Sequence, residues 1–206
     1  MQNIFAPWIL QLSIGDTKKL NKTIYDKIKN RIENTNFDSS FLNCNVWTSY
    51  ESSDDNFLKE EKNILDHMIT KPLQDVINYF NYPIKKIETH SWFNAYKEFQ
   101  WQGVHTHLPS LLSGVYFISF DKKIHGELFF LNPTPSWVIS TQTNSFDINQ
   151  TSDSSLKKEH IPQVNESDLI IFPSGLKHGV KLSNKKVDRL RITYSFNVIC
   201  KEIKDV

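Results

Sequence analysis

The feature that most constrains this chain is a change of hydrophobic period near residue 84. Before it, apolar side chains recur at helical spacing. Leu20, Ile24, Ile28 and Ile32 stand four apart, with Lys and Asn between them. A second stretch sets Phe57, Ile64, Leu65, Met68, Val76, Ile77 and Phe80 on one helical face. Asp16 or Thr17 offers a side-chain oxygen to the free amides at the start of the first helix. Asp54, Asp55, Glu60 and Glu61 crowd the start of the second, where the helix dipole favours negative charge. Pro72 lies inside the second pattern and predicts a kink or a fresh helix start there. Residues 34–50 read as a loop with room for one short strand.

After residue 84 the pattern becomes strand-like. Short runs of aromatic and β-branched residues are divided by turn residues. The candidate strands are Ile87–Phe93, Leu112–Phe120, Glu127–Leu131, Trp137–Gln142, Leu169–Phe172 and Leu190–Val198, with Gly126 as the turn point of a connection over 121–126. The polar stretch 143–167 is a long excursion and a candidate lid. Many short strands without helices between them predict an antiparallel sandwich or barrel. The expected architecture is therefore one domain over 1–206, mainly β with flanking α. Residues 1–85 form a helical support and 86–200 the β core.

Composition narrows the function classes. The 24 Lys and Arg nearly balance the 23 Asp and Glu, so nothing draws the chain as a whole toward nucleic acid or a membrane surface. Two cysteines, Cys44 and Cys200, make no disulfide framework and fit reduced thiols in a cytoplasmic protein. The first residues lack a basic segment followed by a long apolar run, so no secretory signal is expected. No apolar run reaches membrane-spanning length. Oligomeric state is open.

Chemistry concentrates in the β half. His105 and His107 are two apart, and on a strand such residues share a face, so both imidazoles can meet one ion. Alone the pair is a weak signal, since surface or substrate-facing histidines are as common. His178 follows a buried-strand pattern and a Pro-Ser-Gly turn, which would hold it over a barrel mouth. Arg189 and Arg191 are expected on one face of the last long strand, with Thr193 beside them. An interior guanidinium needs an anion, and its planar fork suits a carboxylate. Pairing with Asp188 or Glu127 is the plain alternative. Arg191 is the better ligand candidate, because Thr193 adds a hydroxyl. His67, His90, His125 and His160 have no such setting and are expected at the surface. Trp92, Trp101 and Trp137 are expected in the core, with pocket lining as the alternative.

Together these segments resemble the 2-oxoglutarate/iron(II)-dependent oxygenase superfamily, and within it a bacterial and phage family with an H-x-H motif. The resemblance rests on Trp92-Phe93-Asn94, His105-Thr106-His107-Leu108-Pro109-Ser110, Ser113 through Tyr116, Gly126 through Phe130, Phe172-Pro173-Ser174 with His178, and Arg191-Ile192-Thr193 through Phe196-Asn197. It implies a double-stranded β-helix (jelly-roll) core behind N-terminal helices. It also implies iron(II) and 2-oxoglutarate as cofactors, and hydroxylation of a substrate the sequence does not name. His105, His107 and His178 are the implied metal ligands. Arg191, with Thr193, Tyr116, Ser113, Arg189 and Asn94, is implied in cosubstrate binding.

The chain departs from the superfamily pattern where His107 replaces the usual carboxylate. His107 then ligates, or turns away and leaves two histidines, or yields to an acid from elsewhere such as Glu127. A bulky imidazole argues against a halide in that place. Two rival functions stand beside the oxygenase: a cupin-like three-histidine metalloprotein that does not use 2-oxoglutarate, and a jelly-roll binding module without catalysis.

Overall fold

A computed structural model describes residues 7–34, 46–50, 56–133, 158–183 and 188–203. Among the described residues, two helices and ten strands follow one another in three layers. The chain runs β1 (Leu10–Ser13), α1 (Lys18–Asn34), β2 (Trp47–Thr48), α2 (Lys59–Tyr79), β3 (Ile84–Tyr96), β4 (Gln102–His105), β5 (Leu112–Ser119), β6 (Leu128–Leu131), β7 (Glu159–His160), β8 (Asp168–Pro173), β9 (His178–Val180) and β10 (Arg191–Ile203). One antiparallel sheet has the order β1-β8-β5-β10-β3-β2, and a smaller one the order β4-β9-β6-β7. The helices cover the outer face of the large sheet, and the small sheet covers its inner face. This is the expected double-stranded β-helix with helical support.

The helices form where the four-residue spacing predicted. Ile24, Ile28 and Ile32 of α1 and Leu65, Ile69, Leu73 and Val76 of α2 bury into one core with Tyr116, Ile118, Tyr194 and Phe196 of the sheet. Asp16 reaches the backbone amide of Lys18 at the start of α1. The Tyr194 hydroxyl donates to Asp66 at 2.5 Å and ties α2 to β10. Pro72 does not divide α2, which runs as one helix from Lys59 to Tyr79. Packing of its apolar stripe outweighs the one hydrogen bond that proline removes.

Four short strands lie outside the expected set, among them β7, which falls in the stretch read as a polar excursion. β1 falls in the stretch read as helical and forms the edge of the large sheet, paired to β8. β4 and β9 are four and three residues long, too short for an alternation pattern to stand out. The expected strand over 137–142, most of the candidate lid over 143–167, and Cys44 lie outside the described residues. No described helix is long and apolar enough to cross a membrane.

Strand β10 is central, paired to β3 on one side and β5 on the other. Its residues 192, 194, 196 and 198 point to the helices, so 191, 193, 195 and 197 point to the small sheet. Strand β5 alternates in the same way. Its Val115 and Phe117 meet Leu128 and Phe130 of the small sheet. Because both faces are covered, β5 is buried along its whole length. Gly114 sits where β5 passes the Phe196 ring. A Cβ there would lie 2.1 Å from the ring's Cζ atom. Gly114→Ala is expected to lower the unfolding free energy by about 1–3 kcal/mol, the range for an overpacked core. Phe196→Leu should recover part of that loss in urea unfolding. An unchanged midpoint for the alanine variant would contradict the close approach.

Candidate active site

Register in the small sheet creates the site. β4 and β9 pair antiparallel with His105 opposite His178, and β9 pairs β6 with His178 opposite Phe130. Directly paired residues stand about 5 Å apart, and the His105 and His178 ring centres lie 4.4 Å apart. His178 is therefore the first residue of a strand, not part of a turn. His107 lies beyond the end of β4. A turn brings it back, with its backbone amide donating to Ser174 O at 2.9 Å and its carbonyl accepting from Ser110 at 2.9 Å. Its ring centre lies 4.9 Å from that of His105 and 5.1 Å from that of His178. One ligating atom from each of the three lies within 4.8 Å of the others. The His-x-His pair thus converges through a strand end and a turn rather than along one strand face. No carboxylate joins the cluster among the described residues.

Hydrogen bonds orient the rings. His105 Nδ1 lies 2.8 Å from Gly103 O, and His178 Nδ1 lies 2.9 Å from Leu176 O. Phe172 meets the His178 ring edge-on at 4.7 Å. Burial pushes the His178 pKa down to about 3, aided by the neighbouring His105. Burial lowers His107 to about 4, again with His105 contributing. His105 is also lowered by burial, against the bond to Gly103 O. All three are neutral at pH 7, the form that binds metal.

Arg191 opens β10 on the same cavity wall and is 2% exposed. Its guanidinium carbon sits 4.6 Å from the centre of the Tyr96 ring, with Phe117 and Phe120 further out. Its Nε and Nη1 atoms are buried and have no hydrogen-bond partner. A buried, charged donor pair without an acceptor costs several kcal/mol unless a ligand supplies one. A cavity lies between Arg191 and the histidines, bounded by Tyr96, Gln102, Thr193 and Val180 as well.

The other predicted residues divide. Thr193 and Asn94 line the cavity, and Asn94 donates to Ser195 Oγ at 3.1 Å. Ser113 faces the cavity side but lies behind its wall, bonded to Ser174 and Asn197, both at 2.8 Å. Tyr116 is not in the site. It points to the helices, where its hydroxyl meets Thr17 at 2.7 Å and Asn21 at 2.9 Å. One step along a strand reverses the face, and Tyr116 is on the wrong parity for the cavity. Arg189 is also outside. It precedes β10, so strand alternation does not apply to it, and it pairs with Glu166 at the surface.

Trp92 lines the cavity, its ring 5.8 Å from that of His107, while Trp101 is partly exposed. His125 is buried rather than at the surface. It accepts from the Asp121 amide at 2.9 Å, and its Nε2 lies 2.9 Å from Arg189 O. Tyr96 and Gln102, bonded to each other at 2.9 Å, complete the Arg191 end of the cavity. Tyr96 could have been found by carrying the Trp92–Asn94 alternation one step further.

Known proteins resemble this chain in family and in fold. The family model described as "Putative 2OG-Fe(II) oxygenase" matches residues 90–197. The fold is similar to a prolyl-4-hydroxylase from Pseudomonas putida, at 11% identity and a TM-score of 0.60, covering 95% of this chain and 94% of that one. It is similar to AviO1 from Streptomyces viridochromogenes Tue57, at 7% identity and a TM-score of 0.64, covering 97% and 93%. HygX from Streptomyces hygroscopicus, solved with nickel and 2-oxoglutarate bound, aligns at 10% identity and a TM-score of 0.60, covering 96% and 85%. At such identities the likeness is one of fold. No curated protein matches the chain.

The lowered histidine pKa values set a pH dependence. In the unfolded chain these imidazoles titrate near 6.5, whereas the folded protein resists their protonation. As pH falls below about 6.5, the unfolded state takes up protons that the folded state does not. Stability of the metal-free protein is thus expected to be full above that pH and to erode toward pH 4. Urea midpoints measured from pH 7.5 to 5 should fall, and His107→Leu with His178→Leu should flatten the slope. A slope that the double variant leaves unchanged would refute neutral burial of these rings.

Proposed function

Because the chain belongs to the 2-oxoglutarate/iron(II)-dependent oxygenase family, matched over residues 90–197, we propose that it is a dioxygenase that hydroxylates a substrate enclosed above its histidine cluster. The observation that carries this reading is Arg191. A buried guanidinium with two donors unpartnered fits a cosubstrate that is a dianion. A cupin-like three-histidine metalloprotein would have no use for it, and a binding module would have no use for the imidazoles.

In this reading His105 and His178 hold iron(II) through Nε2, with His107 facing the same ion. The Nδ1 bonds to Gly103 O and Leu176 O leave each Nε2 lone pair free, and they fix the ring planes. The far carboxylate of 2-oxoglutarate pairs with the Arg191 fork, and the Thr193 hydroxyl stands on the same face of β10. Burial lowers the Arg191 pKa and Tyr96 opposes this in part, but a guanidinium starts so far above neutral pH that it stays charged. Three neutral imidazoles leave the ion's charge uncompensated, which favours a dianionic partner. When bound, iron(II) and 2-oxoglutarate supply the oxidising power, by oxidative decarboxylation of the keto acid with dioxygen. The chain's own share is to position both groups and exclude water. Phe172, Leu128 and Val115 wall the cavity, while Trp92 and Asn94 line it from β3 and are candidates to meet substrate. A cytoplasmic setting fits the free Cys200 thiol.

Anaerobic titration with manganese(II) and then 2-oxoglutarate tests the assignment. His178→Ala should lose the metal. Arg191→Met keeps the volume and should keep the metal, but weaken 2-oxoglutarate on the order of 100-fold, the effect of removing a buried charged partner. Unchanged cosubstrate affinity in Arg191→Met would overturn its role.

A further inference from the structure

The three imidazoles are not equivalent. His105 and His178 each hold a backbone carbonyl through Nδ1. A carbonyl only accepts, so both rings carry their proton on Nδ1 and offer a lone pair on Nε2. His107 has a different partner. Its Nδ1 lies 3.4 Å from the Asn197 side-chain amide nitrogen. The amide is oriented from its other end, where Oδ1 accepts from Ser113 Oγ at 2.8 Å. Ser113 Oγ has Ser174 Oγ as its second partner, also at 2.8 Å. The hydrogen bonds therefore run in one direction, from Ser174 to Ser113 to Asn197 to His107. An amide nitrogen only donates, so His107 Nδ1 accepts and the ring proton sits on Nε2.

We propose that Asn197 is a positioning residue that holds His107 as a hydrogen-bond donor rather than a metal ligand. The ion then has two protein ligands, His105 and His178. The place a carboxylate would fill belongs to an exchangeable water or small anion, gripped by His107 Nε2–H. This deepens the metal-site reading above and rests on it. Asn197 is buried, as are Ser113 and Ser174, so water is not at hand to take over a lost bond. Reversing the His107 tautomer would set two N–H groups against each other at Nδ1. Ser174 also holds His107 by its backbone, accepting the His107 amide, so the ring and its amide are fixed by one wall.

Cobalt(II), without cosubstrate, is the probe. X-ray absorption at the cobalt edge of the wild-type protein should count two imidazoles, and a count of three overturns the proposal. By calorimetry, His105→Ala and His178→Ala should each weaken cobalt more than 100-fold, and His107→Ala less than threefold. Asn197→Asp offers only acceptors, so it should draw the His107 proton to Nδ1 and turn Nε2 into a ligand. Cobalt affinity should rise on the order of tenfold, the effect of supporting a ligand from behind, and the gain should vanish in Asn197→Asp with His107→Ala. A gain that survives loss of His107, or no gain at all, removes Asn197 from its role. If neither His105→Ala nor His178→Ala changes cobalt binding, the metal-site reading itself fails, a result distinct from failure of the His107 assignment alone.

Discussion

Everything in this protein depends on the two-residue alternation of one central strand. β10 is covered on both faces, so each residue must suit one of two environments. Ile192, Tyr194, Phe196 and Val198 enter the apolar layer beneath the helices. Arg191, Thr193 and Ser195 line the cavity beneath the small sheet, and Asn197 lies on the same face behind its wall. A shift of one residue would place a guanidinium among the helix isoleucines and strip the cavity of the polar groups that β10 contributes. The pairing of β10 with β3 and β5 prevents such a shift. It also sets Thr193 opposite Asn94 and Asn197 opposite Ser113. Both the Arg191 end and the histidine end of the cavity thereby meet residues set by a single register.

The electrostatics follow from this placement. The cavity joins a buried cation to three imidazoles held neutral, with no carboxylate in the cluster among the described residues. Such a pocket is unstable toward burial of another cation unless an anion comes with it. A divalent ion and a dianionic keto acid are electrically complementary to it as a pair. The aromatic rings around Arg191 soften its desolvation without satisfying its Nε and Nη1 atoms. That leaves Nε and Nη1 available to a ligand. A surface acid would have neutralised the arginine, as Glu166 does for Arg189.

The sheet geometry also explains why the cluster tolerates such short strands. β4 and β9 have little pairing of their own, but His178 is held between His105 and Phe130 and walled by Phe172. Packing and register hold the imidazoles together. The bonds to Gly103 and Leu176 carbonyls come from backbone within two residues of each ring, so orientation is local even though convergence is not.

Much of this was legible in the residues. The four-residue spacing of Leu20 to Ile32 marked α1, and the β-branched runs marked β3, β5, β8 and β10. Arg191 was preferred to Arg189 from its Arg-x-Thr setting, and the three histidines stood out by type and order. Tyr116 falls on the helix side because sequence does not say which strand parity faces the cavity, and Ser113 has the right parity but is taken up by Ser174 and Asn197. His125 was missed because its burial comes from a turn between distant segments. Pro72 does not start a fresh helix, because packing along α2 outweighs a local preference. The sequence alone determined which elements form and which residue types carry the chemistry, since propensity and periodicity act over a few neighbours. Only the tertiary structure decided which side chains meet, and that His107 differs from its two companions. Those facts depend on strand register and on hydrogen bonds between residues far apart in the chain.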